Sequence, residues 1–168
     1  MKYLVLIAAI TFSIISCTRK VYVVRHAEKI AATDSLGKLM INDLPLSEAG
    51  KVRAIVLKEQ LNGEKIRHIY STNFSRTKNT ADPLSRAINV PVEIYNNIDS
   101  LVSVVKTQKG NTLIVGHSNT VDDIINKLTG EKKLSDLKDF EYDNLYVVRI
   151  RGKKTFFKQR KFGYPSNP

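Results

Sequence analysis

The residues best suited to chemistry follow apolar runs that are typical of buried strands. Arg25 and His26 come directly after Val21–Val24, and His117 follows Leu113–Val115 and a glycine. The chain has three histidines, so two of them stand at the ends of predicted strands. In open α/β sheets, ligands bind outside the carboxyl ends of the strands. The pattern therefore predicts that a guanidinium and two imidazoles lie where a ligand binds.

A second arginine occupies a comparable place. Ser71 ends another predicted strand, and Arg76 falls in the first turn of the next helix, where backbone N–H groups and the helix dipole favour anions. Guanidinium groups bind phosphate oxygens in a bidentate manner that an ammonium group cannot match. Arg25, Arg76 and the two imidazoles therefore predict a site for a phosphoryl group. Ser118 and Asn119 follow the second imidazole and are candidate substrate ligands, although Asn119 would serve equally as a helix cap.

The elements that must position these groups alternate between strand and helix. The predicted strands are 21–24, 66–70, 92–95, 112–115, 145–150 and 155–158, the last two joined around Arg151-Gly152. Helices are predicted to begin at Ser47, near Ser75, at Asp99 or Ser100, and at Asn119 or Thr120. This order predicts an α/β domain, a three-layer α/β/α sandwich with a mostly parallel sheet and a C-terminal hairpin.

Two connecting segments are left without a regular element. The polar stretch 30–43 has no clear period, and we expect a loop over the sheet that governs substrate choice. Tyr142, Asp143 and Asn144 precede the fifth predicted strand and would suit either a turn or the rim of the pocket.

In order along the chain, these residues resemble the motifs of the histidine phosphatase (phosphoglycerate mutase-like) superfamily. The matching segments are Arg25-His26-Ala27-Glu28, Leu44–Gly50, Ser71 with Arg76-Thr77 and Thr80-Ala81, and Gly116-His117-Ser118. One such motif would be weak, but all of them occur in order, each at a predicted strand end or helix start. The resemblance runs from about residue 20 to residue 150 and implies a phosphoglycerate mutase-like fold.

The resemblance implies a two-step phosphoryl transfer. His26 would attack phosphorus as a neutral imidazole while Arg25, Arg76 and His117 hold the phosphoryl oxygens, and water would then hydrolyse the phosphohistidine. No cofactor or metal is expected, since three scattered histidines and one cysteine offer no ligand cluster.

The expected activity is metal-independent hydrolysis of phosphate monoesters. Protein-phosphohistidine phosphatase activity is an alternative. A mutase is disfavoured because about 150 mature residues leave little room for a lid that excludes water. A non-catalytic basic lipoprotein that binds anionic ligands is the alternative from a different class of protein.

The acid that would protonate the leaving oxygen is less clear. Family members carry a glutamate after the Arg76-type motif or an aspartate directly after the second histidine, and this chain has Ser118-Asn119 at the latter place. Asp99 is a candidate acid, although it would serve equally as an N-cap. Glu28 is the other candidate, although it would equally pair with an arginine. A good leaving group, such as that of a phosphoramidate, would need little help from an acid.

Residues 1–17 predict a processing signal rather than part of the fold. Lys2 precedes the apolar segment Leu4–Ile15, which is too short to span a bilayer comfortably, and Ser16 precedes Cys17, the single cysteine. The pattern resembles the lipobox of bacterial lipoproteins, with an ordinary signal peptide as the alternative. It implies that Cys17 is lipidated, that residues 18–168 form one catalytic domain, and that the protein is anchored in the bacterial cell envelope on the periplasmic face.

The chain is strongly basic, with a formal net charge of +11. Much of the excess lies near the C-terminus among phenylalanines, at Arg149, Arg151, Lys153, Lys154, Lys158, Arg160 and Lys161. Anionic lipid headgroups suit an anchored protein of this charge, no nucleic acid partner is expected, and a solvated edge strand protected by charge is the plainer interpretation. The expected partners are a phosphorylated small molecule or phosphoprotein as substrate, and the membrane.

Overall fold

The computed structural model describes residues 18–31 and 43–166. The strands are β1 Thr18–Arg25, β2 Ile66–Ser71, β3 Val92–Ile94, β4 Asn111–Gly116, β5 Asn144–Arg151 and β6 Lys154–Lys161. The helices are α1 Glu48–Leu61, α2 Ser75–Ile88, α3 Ile98–Thr107 and α4 Val121–Thr129. Among these helices none is long and apolar enough to cross a membrane. The predicted signal segment with Cys17, and most of the predicted loop 30–43, lie outside the described residues.

The strands form one mixed sheet in the order β3-β2-β4-β1-β5-β6. β1 to β4 pair in parallel, and β5 and β6 form an antiparallel hairpin that joins the sheet at β1. The ladder of β1 and β4 pairs Arg25 with Gly116, and the ladder of β2 and β4 pairs Ser71 with Val115. The carboxyl ends of β1, β4 and β2 therefore lie side by side at one edge of the sheet.

The two faces of the sheet are covered by different helices. Val21 and Val23 of β1 pack in the core under α3 and α4, and Tyr22 and Val24 pack in the core under α1 and α2. All four are fully buried, and burial of each such side chain contributes roughly 1.5–3 kcal/mol. Because both faces of β1 are covered, the strand reads as a continuous apolar run. This arrangement is the predicted three-layer sandwich.

The structure confirms the predicted fold class, and the C-terminal hairpin is where the sequence predicted it. β5 and β6 pair as far as Arg151 and Lys154, and Gly152 in the turn takes a φ of 57°, which glycine adopts without steric cost. Ser47 caps α1, as predicted, and its side chain accepts from the N–H of Gly50.

The predicted cap of α3 is wrong. Asn97 caps this helix, and its side chain accepts from the N–H of Ser100. Asp99 lies inside the first turn instead. The helix begins earlier than predicted because the amide oxygen of Asn97 satisfies one of the first N–H groups, a role that asparagine and aspartate fill about equally well.

Candidate active site

The ends of β1 and β4 place two imidazoles next to each other. The N–H of His26 donates to the carbonyl of Gly116 at 2.8 Å. The hydrogen bonds between β1 and β4 therefore continue up to the histidines that follow the two strands. Gly116 has no room for a side chain, since a β-carbon there would lie 2.7 Å from Oγ1 of Thr120. That hydroxyl oxygen accepts from the N–H of His117 at 2.8 Å. The two imidazole rings are consequently 5.4 Å apart between centroids.

His26 is held in a tautomer suited to a nucleophile. Its Nδ1 lies 2.8 Å from the carbonyl oxygen of Ala27. A carbonyl oxygen only accepts, so Nδ1 carries the proton and Nε2 of the neutral ring keeps its lone pair. His26 is 3% exposed, and burial, with the charge of Arg25 acting in the same direction, lowers its pKa to about 3. A neutral imidazole with a lone pair on Nε2 is able to attack phosphorus.

His117 takes the opposite tautomer. Nη2 of Arg76 approaches its Nδ1 at 3.5 Å, and its Nε2 lies 2.8 Å from Oγ1 of Thr72. A guanidinium only donates, so Nδ1 accepts and Nε2–H donates to Thr72. Burial lowers the pKa of His117 to about 4, and the charges of Arg76 and Arg25 add to this effect. Both imidazoles are therefore neutral at pH 7.

Arg25 is 5% exposed and is held by the segment before β5. Its Nη1 donates to the carbonyls of Lys138 and Asp139 at 2.8 and 3.0 Å, and its guanidinium lies 4.2 Å from the ring centroid of Tyr142. Its Nε is buried without a hydrogen-bond partner among the described residues. Buried N–H groups rarely stay unpaired. The edge that carries Nε and Nη2 is therefore suited to two oxygens of a phosphoryl group.

Arg76 lies in the first turn of α2, as the sequence predicted, and Asp43 fixes it there. The carboxylate of Asp43 accepts from the N–H and the hydroxyl of Ser75 at 2.8 Å each, and it lies 3.6 Å from Nη1 of Arg76. The guanidinium of Arg76 also lies 4.5 Å from the ring centroid of Phe74. Asp43 thus caps α2 from outside the helix and sets the direction of Arg76.

One buried hydroxyl connects the two halves of the cluster. Oγ1 of Thr80 donates to the carbonyl of Arg76 at 2.7 Å and accepts from the N–H of Ala27 at 2.9 Å. The start of α1 presses on the same loop, since a β-carbon at Gly50 would lie 2.1 Å from the carbonyl oxygen of Glu28. The loop that carries His26 is therefore fixed against both α1 and α2.

In the structure Glu28 forms a partly buried ion pair with Arg53. Its carboxylate accepts from Nε and Nη2 of Arg53 at 2.6 to 2.9 Å, and the side chain of Arg53 is 6% exposed. Arg53 also donates to the carbonyls of Phe162 and Tyr164 at 2.9 and 3.0 Å. The pair ties the loop after His26 to α1 and to the C-terminal segment, which is the alternative role that the sequence left open for Glu28.

Asp99 lies away from the imidazoles. Its carboxylate pairs with Lys127 at 2.7 Å, and Lys127 belongs to the last turn of α4, whereas His117 precedes the first turn. The Asp99 side chain is 75% exposed. No described contact of His26 or His117 involves Asp99. The structure therefore does not bring this candidate acid to the cluster.

Ser118 and Asn119 lie in the turn between His117 and α4. The carbonyl of Ser118 accepts from the N–H of Leu137 at 2.9 Å, and Asn119 is exposed. Of the residues that the sequence left open, Tyr142 belongs to the cluster, with its ring centroid 5.9 Å from that of His26.

Three residues near the imidazoles were not found from the sequence, namely Asp43, Thr72 and Phe74. They reach the cluster through tertiary contacts with Arg76 or His117. The segment 44–50, which resembles a family motif, was the one signal near Asp43.

The cluster as a whole is positive and suited to an oxyanion. Two guanidiniums remain charged although burial lowers the pKa of both Arg25 and Arg76, while the imidazoles beside them are neutral. Within residues 18–31 and 43–166, no group of three or more His, Cys, Asp or Glu side chains is placed to hold a metal ion. Fixed donors around one point stabilise charge on a transferred phosphoryl group.

The α/β fold and the cluster at the ends of β1, β4 and β2 together are suited to binding a phosphoryl group. The family model for branch 1 of the histidine phosphatase superfamily matches residues 21–101, which contain Arg25, His26 and Arg76. This segment is similar to the histidine phosphatase superfamily, whose members are phosphatases or mutases. A curated relative, named as the probable phosphoglycerate mutase GpmB of Photorhabdus laumondii, is 32% identical over an alignment of 99 residues, and the match covers 50% of this chain and 45% of GpmB. The match spans less than half of that relative's length.

Solved structures share the fold over most of the chain. The protein histidine phosphatase SixA in complex with tungstate is 15% identical, covers 84% of this chain and 96% of its own, and has a TM-score of 0.67. A mycobacterial glucosyl-3-phosphoglycerate phosphatase is 13% identical, covers 86% of this chain and 98% of its own, and has a TM-score of 0.63. A phosphoglycerate mutase from Plasmodium falciparum is 14% identical, covers 90% and 97%, and has a TM-score of 0.58.

Proposed function

We propose that this protein is a metal-independent phosphatase that hydrolyses phosphate monoesters through a phosphohistidine on His26. The observation that carries the proposal is the placement of the imidazoles of His26 and His117 side by side, next to the buried Arg25 and the partly buried Arg76. Nδ1 of His26 donates to Ala27 at 2.8 Å, which leaves the lone pair on Nε2. The tungstate in the SixA structure supports it further, because tungstate is a tetrahedral oxyanion of the same form as phosphate.

In the first step Nε2 of His26 attacks phosphorus. A P–N bond forms as the P–O bond to the leaving group breaks, and the bonding electrons leave with that oxygen, which takes a proton from solvent. The Nε–Nη2 edge of Arg25 and the guanidinium of Arg76 bind the equatorial oxygens. Because both cations are already fixed by Lys138, Asp139 and Asp43, little reorganisation opposes the transfer.

In the second step water attacks the phosphorus of the phosphohistidine. The electrons of the P–N bond return to Nε2, inorganic phosphate forms, and the proton from the water passes to solvent. The carbonyl of Ala27 keeps the ring of His26 in the same tautomer throughout. The enzyme thus returns to its starting state without a cofactor.

The surroundings of Glu28 and Asp99 favour a substrate with a good leaving group. Glu28 is held by Arg53 and Asp99 by Lys127, so neither is poised to protonate a poor leaving oxygen. A phosphoramidate needs less help, which supports protein-phosphohistidine phosphatase activity as the second candidate. A second structure that bears the SixA name, from Agrobacterium tumefaciens, covers 87% of this chain at 21% identity and a TM-score of 0.63.

Trapping of the intermediate tests the proposal. The purified full chain is mixed with ³²P-labelled substrate in the presence of EDTA and quenched within milliseconds. We expect label on His26 that survives alkali and is lost in acid, as a P–N bond requires. Label that is stable in acid, or label that persists in His26→Gln, would sink the phosphohistidine mechanism.

The leaving group distinguishes the two candidates. Rates are compared for para-nitrophenyl phosphate, phenyl phosphate and a phosphohistidine peptide. If no acid assists, kcat/KM, which reports the first step, falls steeply from para-nitrophenyl to phenyl phosphate, and the phosphohistidine peptide has the highest kcat/KM. Equal kcat/KM values for both aryl phosphates would indicate an acid at the site and favour monoesters.

A further inference from the structure

The hairpin of β5 and β6 carries a basic face that takes no part in the site described above. Alternate residues of a strand share one face, and Phe156, Lys158 and Arg160 are successive members of such a set on β6. The register places Arg149 opposite Phe156 and Val147 opposite Lys158. These side chains and Lys20 line a cleft of about 350 Å³, with Tyr22 and Val147 at its base. We call these four cations and Phe156 the basic cleft.

The charges of the basic cleft are exposed. Arg149, Lys158 and Arg160 are all solvent-accessible, and Glu64 is engaged by Lys20 at 2.7 Å. The guanidinium of Arg149 lies 4.7 Å from the ring centroid of Phe156. Phe156 itself is 45% exposed.

The chain enters the domain beside this cleft. Thr18, the first described residue, pairs with Arg151 at the tip of the hairpin, and Lys20 pairs with Arg149 inside the cleft. The 17 residues before Thr18 include an apolar segment of membrane-signal type that ends at Cys17. A chain that is attached to a bilayer through this segment holds the hairpin within a few residues of the surface.

We propose that the basic cleft binds the headgroups of anionic phospholipids in the membrane to which the N-terminal segment is attached. Exposed lysines and arginines near an anionic bilayer each add attraction, and an exposed apolar side chain such as Phe156 is suited to insertion at the boundary between headgroups and acyl chains. The cleft runs along the hairpin from Arg149, which pairs with Lys20 near the start of β1, to Arg160, which pairs with Leu145 near the start of β5. Its Lys20–Arg149 end is the end away from His26 and His117, which follow the carboxyl ends of β1 and β4. With that end of the hairpin on the bilayer, the edge of the sheet that carries the two imidazoles remains open to substrates in solution.

Vesicle binding of the full chain tests this proposal. Dissociation constants are measured for vesicles of phosphatidylcholine alone and of phosphatidylcholine with 30% phosphatidylglycerol. The apolar N-terminal segment contributes to both, so the ratio of the two constants isolates the charge effect. We expect the triple variant Arg149→Gln, Lys158→Gln, Arg160→Gln to reduce the preference for anionic vesicles by about 100-fold, and Phe156→Ser to weaken binding to both vesicles.

A matched control keeps the net charge equal. The triple variant Lys51→Gln, Lys78→Gln, Arg86→Gln removes three cations from α1 and α2, and we expect its preference for anionic vesicles to stay within about threefold of wild type. Equal losses in both triples would overturn the proposal, because net charge alone would then explain binding. Tighter binding of a single-stranded oligonucleotide than of anionic vesicles would overturn it as well. Turnover of para-nitrophenyl phosphate by each variant checks that the fold is intact.

Discussion

The proposed catalytic edge of the sheet, where Arg25, His26, Arg76 and His117 lie, and the basic cleft both concentrate positive charge. They hold this charge in different ways. At the catalytic edge Arg25 is buried and held by two carbonyls, and Arg76 is partly buried and held by Asp43. In the basic cleft Arg149, Lys158 and Arg160 are exposed to water, and Lys20 is partly exposed and paired with Glu64. Buried and fixed charges act strongly on one oxyanion and are little screened by salt, whereas exposed charges are screened within about 10 Å. The two regions of one sheet are therefore expected to respond differently to mutation, pH and salt.

Removal of the proposed nucleophile is expected to give the largest difference between the two regions, because turnover should be lost while vesicle binding is kept. His26→Ala eliminates the atom that attacks phosphorus, and we expect kcat for para-nitrophenyl phosphate to fall by at least about 10³-fold. The preference for anionic vesicles should not change, because the basic cleft is untouched. His68→Ala is the control, since His68 lies within β2 and bonds to the carbonyl of Lys109. Residual turnover above one part in a hundred in His26→Ala would contradict the mechanism.

Exchange of arginine for lysine measures how much fixed geometry matters at the catalytic edge. Arg76→Lys keeps the charge but loses the bidentate N–H donors of the guanidinium, and we expect kcat to fall by about 10²-fold. Arg86→Lys, on the same helix, is the matched control, because Arg86 forms an exposed pair with Asp82 and should change kcat less than twofold. Steady-state kinetics with both variants decides the point. Similar kcat values for Arg76→Lys and wild type would mean that charge alone suffices there.

The pair of Glu28 and Arg53 supports the catalytic edge through stability. Glu28→Gln leaves a nearly buried guanidinium without its counter-charge, and we expect the free energy of unfolding to fall by about 2 kcal/mol. Denaturant unfolding provides the measurement. Glu48→Gln, which breaks an exposed pair with Lys51, is the control and should change the free energy of unfolding by less than about 0.5 kcal/mol.

The Glu28→Gln variant also tests whether Glu28 protonates the leaving group. A purely structural role leaves kcat of the folded Glu28→Gln protein within a few-fold of wild type for both aryl phosphates. A large loss that is confined to phenyl phosphate would assign Glu28 to protonation of the leaving group.

The imidazoles give the catalytic edge a pH response that the basic cleft lacks. Burial lowers the pKa of His117 to about 4 and that of His26 to about 3. Between those values and an ordinary pKa near 6.5 the unfolded chain binds protons that the folded chain does not. Stability from these groups is therefore complete above about pH 6.5 and is lost as pH falls through this window.

NMR titration of the two rings provides the check. We expect both to remain neutral at pH 5. Added tungstate should raise both pKa values because an anion favours the charged imidazolium. Arg76→Gln should raise the pKa of His117, since it removes the largest charge that lowers it. A pKa near 6.5 for His26 in the ligand-free protein would contradict the buried site.

The smallest effect is expected at Asp99. Its carboxylate pairs with Lys127 at the surface, so Asp99→Asn should change kcat by less than twofold at any pH between 5 and 8 and should leave stability almost unchanged. A pH–rate profile that loses one limb in this variant would instead assign Asp99 to the chemistry.

Much of the fold and the centre of the candidate site follow from local patterns. Apolar runs that end in Arg25-His26 and Gly116-His117 predict strand ends, and a parallel ladder then brings them together. Helix caps are less certain, because Asn97 and Asp99 are both good caps two residues apart. Asp43, Thr72 and Phe74 were beyond prediction, since their contacts with Arg76 and His117 depend on packing between segments that are distant in the sequence.

The pairing of β1 with β4 also has a consequence for folding. The N–H of Lys20 reaches the side chain of Asn111, 91 residues away along the chain, and the same ladder aligns His26 with His117. Such non-local pairings form slowly because a long loop must close first. Turnover of a chromogenic phosphate during refolding would therefore report the pairing of β1 with β4. We expect no activity while the helices and the hairpin form, and activity once the two strands are paired in register.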